Sequence, residues 1–381
     1  METKTERDFR LDFCRGLALI IIFIDHVPGN PVANWTLRNF GFCDAAEVFV
    51  LISGISTYLA FGSKLDRLGF RACAKAVARR WSTIYLAHLL LLMSLYAAAT
   101  LVSRHFLTAD YVAFLKLQWF QESPLRALLS ALTLSYLPKY LDILPLYLVL
   151  MAAAPFILAL VRRDWRLALA VSGTIYLAVW LSGVNFIEGK DGQGWYFNPL
   201  AWQFLYTIGM VSCHLARTAP ARLPWNRGLL WAALGFIGFG VVAAAPWNLT
   251  GMVYFQPPFY LWPADKTFLA PLRLAHVVAL FYVFAFFVRP QAPLLRARLA
   301  APLLWAGRHS LPVYAVGVVL SCAGYVAVTE SAGAPLVHAA VNLLGIAILL
   351  ALATILEWYR AARRSLVPAK AALLAESGAA G

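Results

Sequence analysis

The sequence predicts an all-α polytopic membrane protein with about ten transmembrane helices. Of its 381 residues, 61% are hydrophobic and only 13% are charged, whereas about a quarter of a soluble domain is charged. Apolar segments of roughly 20 residues, the length that crosses a bilayer, recur from end to end. The net charge of +14 is spread over short patches between these segments, which indicates membrane orientation rather than a nucleic-acid-binding face. We therefore expect a lipid bilayer, and no nucleic acid, as partner.

Ten apolar segments are the predicted spans. They cover roughly 11–27, 45–62, 81–103, 140–161, 166–184, 199–215, 228–246, 270–288, 308–328 and 337–357. The first span should end near His26, because Pro28 disfavours helix at Val27. It resembles a signal peptide but lacks a small-residue cleavage site, so we interpret it as a retained span. The stretch 125–137 is too short to cross and is expected to lie in the interface or to re-enter.

The positive charges predict the orientation of these spans. With a cytoplasmic N-terminus, about three quarters of the 32 Lys and Arg fall in cytoplasmic connections. An even number of spans then places both termini in the cytoplasm. We expect one transmembrane domain over 1–360 and a disordered cytoplasmic tail over 361–381.

Several common kinds of site are not encoded. The five cysteines are scattered without CxxC spacing, which indicates neither a disulfide framework nor a metal site. No GxSxG, HExxH, Walker-type loop or Rossmann fingerprint is present. The small residues of Ser53-Gly54-Ile55-Ser56, and Gly235, Gly238 and Gly240, are typical of close helix packing.

Polar residues from five spans converge at the outer ends of the predicted helices. Ionisable groups in spans are costly and usually face a cavity or a partner. Ion pairs that brace loops are the structural alternative, but convergence favours a functional cavity. The set comprises Asp25, His26, Arg38, Asp44, Glu47, Asp142, Asn198, Gln203, Asp265, Lys266, Arg273 and His276.

His26 is the preferred acid–base candidate in this set, because an ordinary histidine titrates near neutrality. Asp25 is poorly placed to orient it, since neighbours on a helix point about 100° apart. Glu47 or Asp142, from other spans, is the better candidate to hold the imidazole. Asp25 is left to bind a substrate hydroxyl or to pair with an arginine.

The cytoplasmic half carries a second, basic set. Snorkelling side chains that only fix topology are the default interpretation, but a basic mouth would also suit a phosphorylated donor. Its members are Arg15, Arg80, His88, Arg308 and His309. The aromatic, proline-rich outer connections 104–139, 185–198 and 247–269 are either an interfacial belt or platforms for sugar rings.

Seven stretches resemble known membrane acyltransferases. LDFCRGLALIIIFIDH is similar to the opening of acyltransferase-3 type enzymes, in which an arginine and a histidine, here Arg15 and His26, share the first span. The ordered set resembles the OpgC family, membrane succinyltransferases that modify osmoregulated periplasmic glucans. The stretches are RDFRLDFCRGLALIIIFIDH, TLRNFGFCDAAEVFVLISG, RRWSTIYLAHLLLL, YLDILPLY, FNPLAWQF, DKTFLAPLRLAH and GRHSLPVY.

The resemblance implies transfer from an acyl-CoA donor, succinyl-CoA, on the cytoplasmic side to a glucan hydroxyl in the periplasm. It implies a multi-pass protein of the bacterial inner membrane, without a metal. It places the family's histidine on His26 and its carboxylate on Glu47, while Asp142, Arg273 and His276 fall in matching stretches. Two alternatives stay open: an acetyl donor, and a transporter of an anionic or sugar substrate with His26 in a proton relay. No internal repeat is visible, which disfavours the transporter.

Overall fold

The fold is a helical bundle, seen in a computed structural model that describes residues 8–106, 108–223, 225–244 and 265–379. Most of the aromatic connection 247–269 lies outside the described residues. In those ranges there is no strand, only an isolated bridge between Ile187 and Gly194, and the predicted all-α class is confirmed. The helices are α1 (Phe9–His26), α2 (Ala45–His105), α3 (Tyr111–Phe114), α4 (Trp119–Glu122), α5 (Pro124–Leu132), α6 (Ile143–Arg163), α7 (Trp165–Ser182), α8 (Pro199–Thr218), α9 (Arg227–Ala244), α10 (Pro271–Phe287), α11 (Pro293–Arg296), α12 (Ala301–Arg308), α13 (Ser310–Glu330) and α14 (Pro335–Ala379).

The second and third predicted spans run together as the 61-residue α2. Gly69 separates them with φ 78° and ψ 175°, a conformation that glycine adopts without steric cost. The connection predicted between these spans is therefore helical on both sides of a sharp break.

Five helices of the described chain are long and apolar enough to cross a membrane. They are Ala45–His105, Ile143–Arg163, Trp165–Ser182, Ser310–Glu330 and Pro335–Arg363. Helices also cover the other predicted spans. The ten-span topology and the cytoplasmic termini stay predictions, as does the disordered tail, along which α14 continues to Ala379. The short α5 exposes Leu125, Leu128, Leu129 and Leu132, as an interfacial helix would.

Glycine contacts fix how closely the central helices approach. A Cβ atom on Gly54 of α2 would lie 2.1 Å from the carbonyl oxygen of Tyr206 in α8. A Cβ atom on Gly209 of α8 would lie 2.3 Å from the carbonyl oxygen of Leu51 in α2, so the two backbones are in contact at these residues. The close packing expected around Gly54 is confirmed. At Gly235 and Gly238 no described atom lies within 4 Å of an added Cβ, so close packing at these two residues stays a prediction.

Gly54→Ala should destabilise the protein, because the new methyl group has no room against the α8 backbone. We expect a cost of about 1–3 kcal/mol, as for other overpacked sites, measured as a lower thermal unfolding midpoint in detergent. Gly235→Ala is the matched control: its site is open, and alanine favours helix by about 1 kcal/mol. Equal midpoints for the two variants would contradict the close contact between α2 and α8.

Candidate active site

His26 is held by the backbone of its own helix. It is the last residue of α1, since Val27 turns extended at φ −82° and ψ 109°. The imidazole Nδ1 lies 2.5 Å from the carbonyl oxygen of Ile22, one turn earlier. A carbonyl only accepts, so Nδ1 carries the proton and Nε2 keeps its lone pair. The ring also packs edge-on against Tyr140, with centroids 4.8 Å apart.

The predicted carboxylate partner of His26 is corrected by this geometry. Within the described ranges neither Glu47 nor Asp142 hydrogen-bonds the ring, and the carbonyl of Ile22 orients it instead. The contact cannot be predicted from the sequence, because every residue of a helix has a carbonyl four positions before it and the sequence does not show which side chains bind theirs. The ring remains partly exposed, so a substrate hydroxyl can approach it.

Glu47 belongs to a buried ion cluster that begins α2. Its side chain is fully buried, and its two oxygens accept the Asp44 N–H at 2.9 Å and the Nε of Arg273 at 2.6 Å. Asp44 caps the helix by accepting from the Ala46 N–H at 2.8 Å. These bonds tie the start of α2 to the start of α10.

Asp44 completes the cluster by joining two cations. Its Oδ2 lies 2.5 Å from Lys266 Nζ and 3.2 Å from Arg273 Nη2. Burial opposes ionisation, yet the charges of Lys266 and Arg273 hold the pKa of the Asp44 carboxyl well below its usual range. Asp44, Lys266 and Arg273 were predicted to bind substrate, but they bind one another. The loop-bracing interpretation applies to these residues.

Asp25 has two partners on the segment that follows α1. Its Oδ1 accepts a 2.6 Å hydrogen bond from Thr36 Oγ1 and lies 4.0 Å from Arg38 Nε. Of the interpretations offered for Asp25, pairing with an arginine is the one the geometry shows. The Arg38 side chain is 44% exposed, so the pair lies at the surface and contributes little to stability.

Asp142 is a half-buried residue whose carboxyl has no hydrogen-bonding partner in the described ranges. It precedes α6 but makes no side-chain capping bond, and no other described residue hydrogen-bonds it. A carboxyl without a partner beside a polar site is a candidate for proton transfer.

Asn198 and Gln203 serve the packing of α8 rather than a binding site. Asn198 is fully buried, accepts from the Leu200 N–H at 3.0 Å and donates to the Val184 carbonyl at 2.7 Å. Gln203 donates to the Ser172 carbonyl at 2.9 Å. These hydrogen bonds lie within α8 and toward α7 and the residues that follow it, and the predicted role of both residues in substrate binding stays a prediction.

Asp265 and His276 also have local partners. Asp265 accepts from the Thr267 N–H at 2.7 Å in the turn before α10. His276 is fully buried, with Nδ1 3.2 Å from Cys43 Sγ. A Cβ on Gly41 would lie 2.2 Å from its ring. Neither residue lines the cavity described next, and their predicted substrate contacts stay predictions.

A cavity of about 240 Å³ lies between α1, α2, α6 and α13. Arg15 and Arg80, both predicted to bind the donor, line it together with Tyr147 and Tyr314. Arg15 donates to Ser56 Oγ and, at 3.3 Å, to the Gly307 carbonyl. Eleven residues at 1.5 Å each place Arg15 about 16 Å from His26 along α1.

The outer end of this cavity reaches the wall of the His26 site. Ile143, next to Asp142, lines the cavity. The hydroxyl of Tyr314, another lining residue, donates at 2.9 Å to the carbonyl of Tyr140, whose ring contacts His26. Sequence reasoning missed both tyrosines, although they end the quoted stretch GRHSLPVY and begin YLDILPLY. A tyrosine in an apolar run resembles any core aromatic residue.

The other three predicted donor residues lie elsewhere. His88 is fully buried, and neither ring nitrogen has a hydrogen-bond partner among the described residues. Arg308 is 3.0 Å and His309 2.9 Å from the Glu357 carboxylate, and Arg308 is also 3.3 Å from Asp12. This network joins α1, α12 and α14, and a donor role for the three residues stays a prediction.

Arg273→Met should be strongly destabilising, because it leaves Glu47 buried without its cation. Losing one partner of a buried ion pair costs about 3–5 kcal/mol, which thermal unfolding in detergent would report. Arg38→Met is the control, with at most about 1 kcal/mol expected for an exposed pair. Adding Glu47→Gln to Arg273→Met should restore part of the loss. Equal small shifts for both arginine variants would contradict the cluster.

Comparisons with known proteins place the chain in a family. No curated protein or solved structure gives a significant match. Among the residues of known placement, no group of three or more His, Cys, Asp or Glu is arranged to hold a metal ion. A model described as OpgC protein matches residues 7–361, nearly the whole chain. Membership in that family suggests a glucan-modifying transferase with an acyl donor, and the chain belongs to the OpgC family.

Proposed function

We propose that the protein is an O-acyltransferase of the bacterial inner membrane that moves a succinyl group from succinyl-CoA to hydroxyls of periplasmic glucans. The observation that carries the proposal is the state of His26. Its Nδ1–H is bound to the Ile22 carbonyl, so the partly exposed ring presents Nε2 as a base. Family membership supplies the class of acceptor.

His26 performs proton transfer in this mechanism. Its Nε2 accepts the proton of the sugar hydroxyl while the hydroxyl oxygen bonds to the acyl carbon. The carbon–sulfur bond of the thioester breaks, and His26 returns the proton to the departing sulfur. The products are a glucan ester and a free thiol, so atoms and charge balance. The Ile22 carbonyl keeps the ring in position and stabilises the imidazolium while it exists.

The cavity lined by Arg15 and Arg80 supports a donor on the inner side. Guanidinium groups bind phosphates and carboxylates with charge-assisted hydrogen bonds. At about 240 Å³ the cavity is below the usual range for a whole drug-sized ligand. It therefore suits the acyl thioester arm, while a nucleotide part would stay in the basic mouth. Arg80 is exposed and would meet that part first.

The acceptor would approach from the opposite end of α1. Trp35 is 60% exposed and precedes Thr36, which binds Asp25. An exposed indole at this position suits stacking on a sugar ring, one of the two interpretations of the outer aromatic residues. The transporter alternative gains no support from a specific contact in the described chain.

His26→Gln should abolish transfer while leaving the fold intact. Loss of a general base lowers the rate by at least about 100-fold, measured as the succinate content of periplasmic glucans at equal expression. His105→Gln is the control, because His105 also ends a helix, is exposed and lies on the predicted outer side. Its succinate content should match wild type. Unchanged content in the His26 variant would remove this residue from the mechanism.

Arg80→Gln should weaken the donor without slowing chemistry. We expect KM for succinyl-CoA to rise by about 5- to 10-fold with kcat nearly constant, since one partly exposed charge-assisted contact is lost. Initial rates in isolated membranes at varied succinyl-CoA would show this. Arg79→Gln is the neighbouring control, because Arg79 is exposed but outside the cavity lining. A kcat effect alone, or equal effects of both variants, would contradict a donor role for Arg80.

A further inference from the structure

The cations at the outer end differ in whether a carboxylate balances them. Lys266 and Arg273 are neutralised within the buried ion cluster, and Arg38 lies 4.0 Å from Asp25. Lys139 differs from these. Across the described ranges no carboxylate oxygen lies within 4.0 Å of Lys139 Nζ, the limit for an ion pair, although the Lys139 side chain is only partly exposed.

Lys139 lies next to the residue that contacts His26. Its Nζ is 3.6 Å from the ring centroid of Phe114 and 5.4 Å from that of Tyr140. The Tyr140 centroid is 4.8 Å from that of His26. The last two distances limit the separation of the ammonium and the imidazole to about 10 Å, whatever the angle between them.

Backbone contacts fix Lys139 in this place. Tyr140 has φ 70°, a left-handed conformation that costs a bulky residue about 1–3 kcal/mol and recurs at functional sites. The Tyr314 hydroxyl binds the Tyr140 carbonyl at 2.9 Å. The Lys139 N–H donates to the Leu115 carbonyl at 3.1 Å. The surroundings therefore maintain a strained turn that keeps a cation beside the candidate base.

The surroundings of this cation favour an anionic ligand over a sugar. Tyr325 stacks on Phe114 with centroids 3.8 Å apart, and Lys139 lies over the same ring, so Phe114 is not an open platform. Burial, and then the positive charge of Lys116, lower the pKa of Lys139. A bound anion would raise the pKa of Lys139 and so oppose both effects. An ammonium has three donors, and a ring face uses only part of that capacity.

We propose that Lys139 binds the distal carboxylate of a dicarboxylic acyl group while His26 acts at the carbonyl end, and so selects succinyl over neutral acyl groups. This inference rests on the proposed acyl transfer. The three C–C bonds of a succinyl chain, about 1.5 Å each, span about 4 Å. A hydrogen bond of about 3 Å joins the distal carboxylate to Lys139, and the sugar hydroxyl, which donates to His26 Nε2, fills the remaining separation at the carbonyl end. Lys139 is then a specificity residue and takes no part in proton transfer.

The test compares succinyl-CoA with butyryl-CoA, whose acyl group has the same length but ends in a methyl group. Wild type should prefer succinyl. Lys139→Met should lower the ratio of succinyl to butyryl kcat/KM by about 10- to 100-fold, the value of one charge-assisted hydrogen bond, mainly through slower succinyl transfer. Lys139→Arg, which keeps the charge, should retain most of the preference. Lys116→Met is the control, because Lys116 is an exposed lysine between α3 and α4, and its ratio should stay at the wild-type value.

Three outcomes would overturn the inference. An unchanged ratio in Lys139→Met would show that the cation does not contact the acyl group. An equal loss for both donors would show that Lys139 only supports the fold around Tyr140. A loss of preference in Arg38→Met instead would move the carboxylate site to Arg38. Absence of acyl transfer in wild type, by contrast, would overturn the proposed function itself.

Discussion

The buried contact between Glu47 and Arg273 is the interaction on which the outer half of the molecule depends. A fully buried carboxylate is tolerable in a membrane protein only with a compensating cation and satisfied oxygens. Both oxygens of Glu47 are satisfied, one by Arg273 and one by the Asp44 backbone. Because Arg273 lies in the first turn of α10 and Glu47 in the first turn of α2, neither helix can shift alone. The segment between α1 and α2 is thereby held across the end of α1.

That constraint explains how the end of α1 becomes a site. The segment carries Thr36, which binds Asp25, so the carboxylate next to His26 is already engaged. His26 is left with the carbonyl of Ile22 on one nitrogen and with Tyr140 against its ring. A histidine that a carboxylate had oriented would more readily hold a second proton. One oriented by a carbonyl is better suited to begin the reaction as a neutral base.

The sequence predicted the elements of this fold better than their partners. Hydropathy located every long helix, because the length of an apolar run is a local property. It separated α2 into two spans, because the break at Gly69 needs no loop and a positive φ is not visible in composition. Charge counting predicted that Asp44, Glu47, Lys266 and Arg273 converge. It did not show that they neutralise one another, since whether two charged groups pair depends on differences of a few tenths of an ångström in the distance between them.

The same limit explains the residues that were missed or misassigned. Arg308 and His309 looked like part of a basic mouth because their anionic partner, Glu357, is 48 residues further along the chain. Tyr140 and Tyr314 looked like core residues, because a hydroxyl bound to a carbonyl leaves no pattern in the sequence. Of the predicted donor set, Arg15 and Arg80 line the cavity between α1, α2, α6 and α13. A pattern of residue types gives candidates for a site, and the pairing of charges decides among them.

Pairing also separates the charges that build this protein from those available for chemistry. Asp44, Glu47, Lys266 and Arg273 are balanced in place, and a substrate could recruit one of them only by breaking a buried contact at a cost of several kcal/mol. Asp142 and Lys139 have no such partner within the described chain. Burial lowers the pKa of Lys139 and so favours its neutral form. If both residues had only a structural role, an oppositely charged side chain could be placed beside each with little loss of stability, since both lie beside a polar loop. That they are held without one, on either side of the strained Tyr140, is the reason to look for their partners in the substrate.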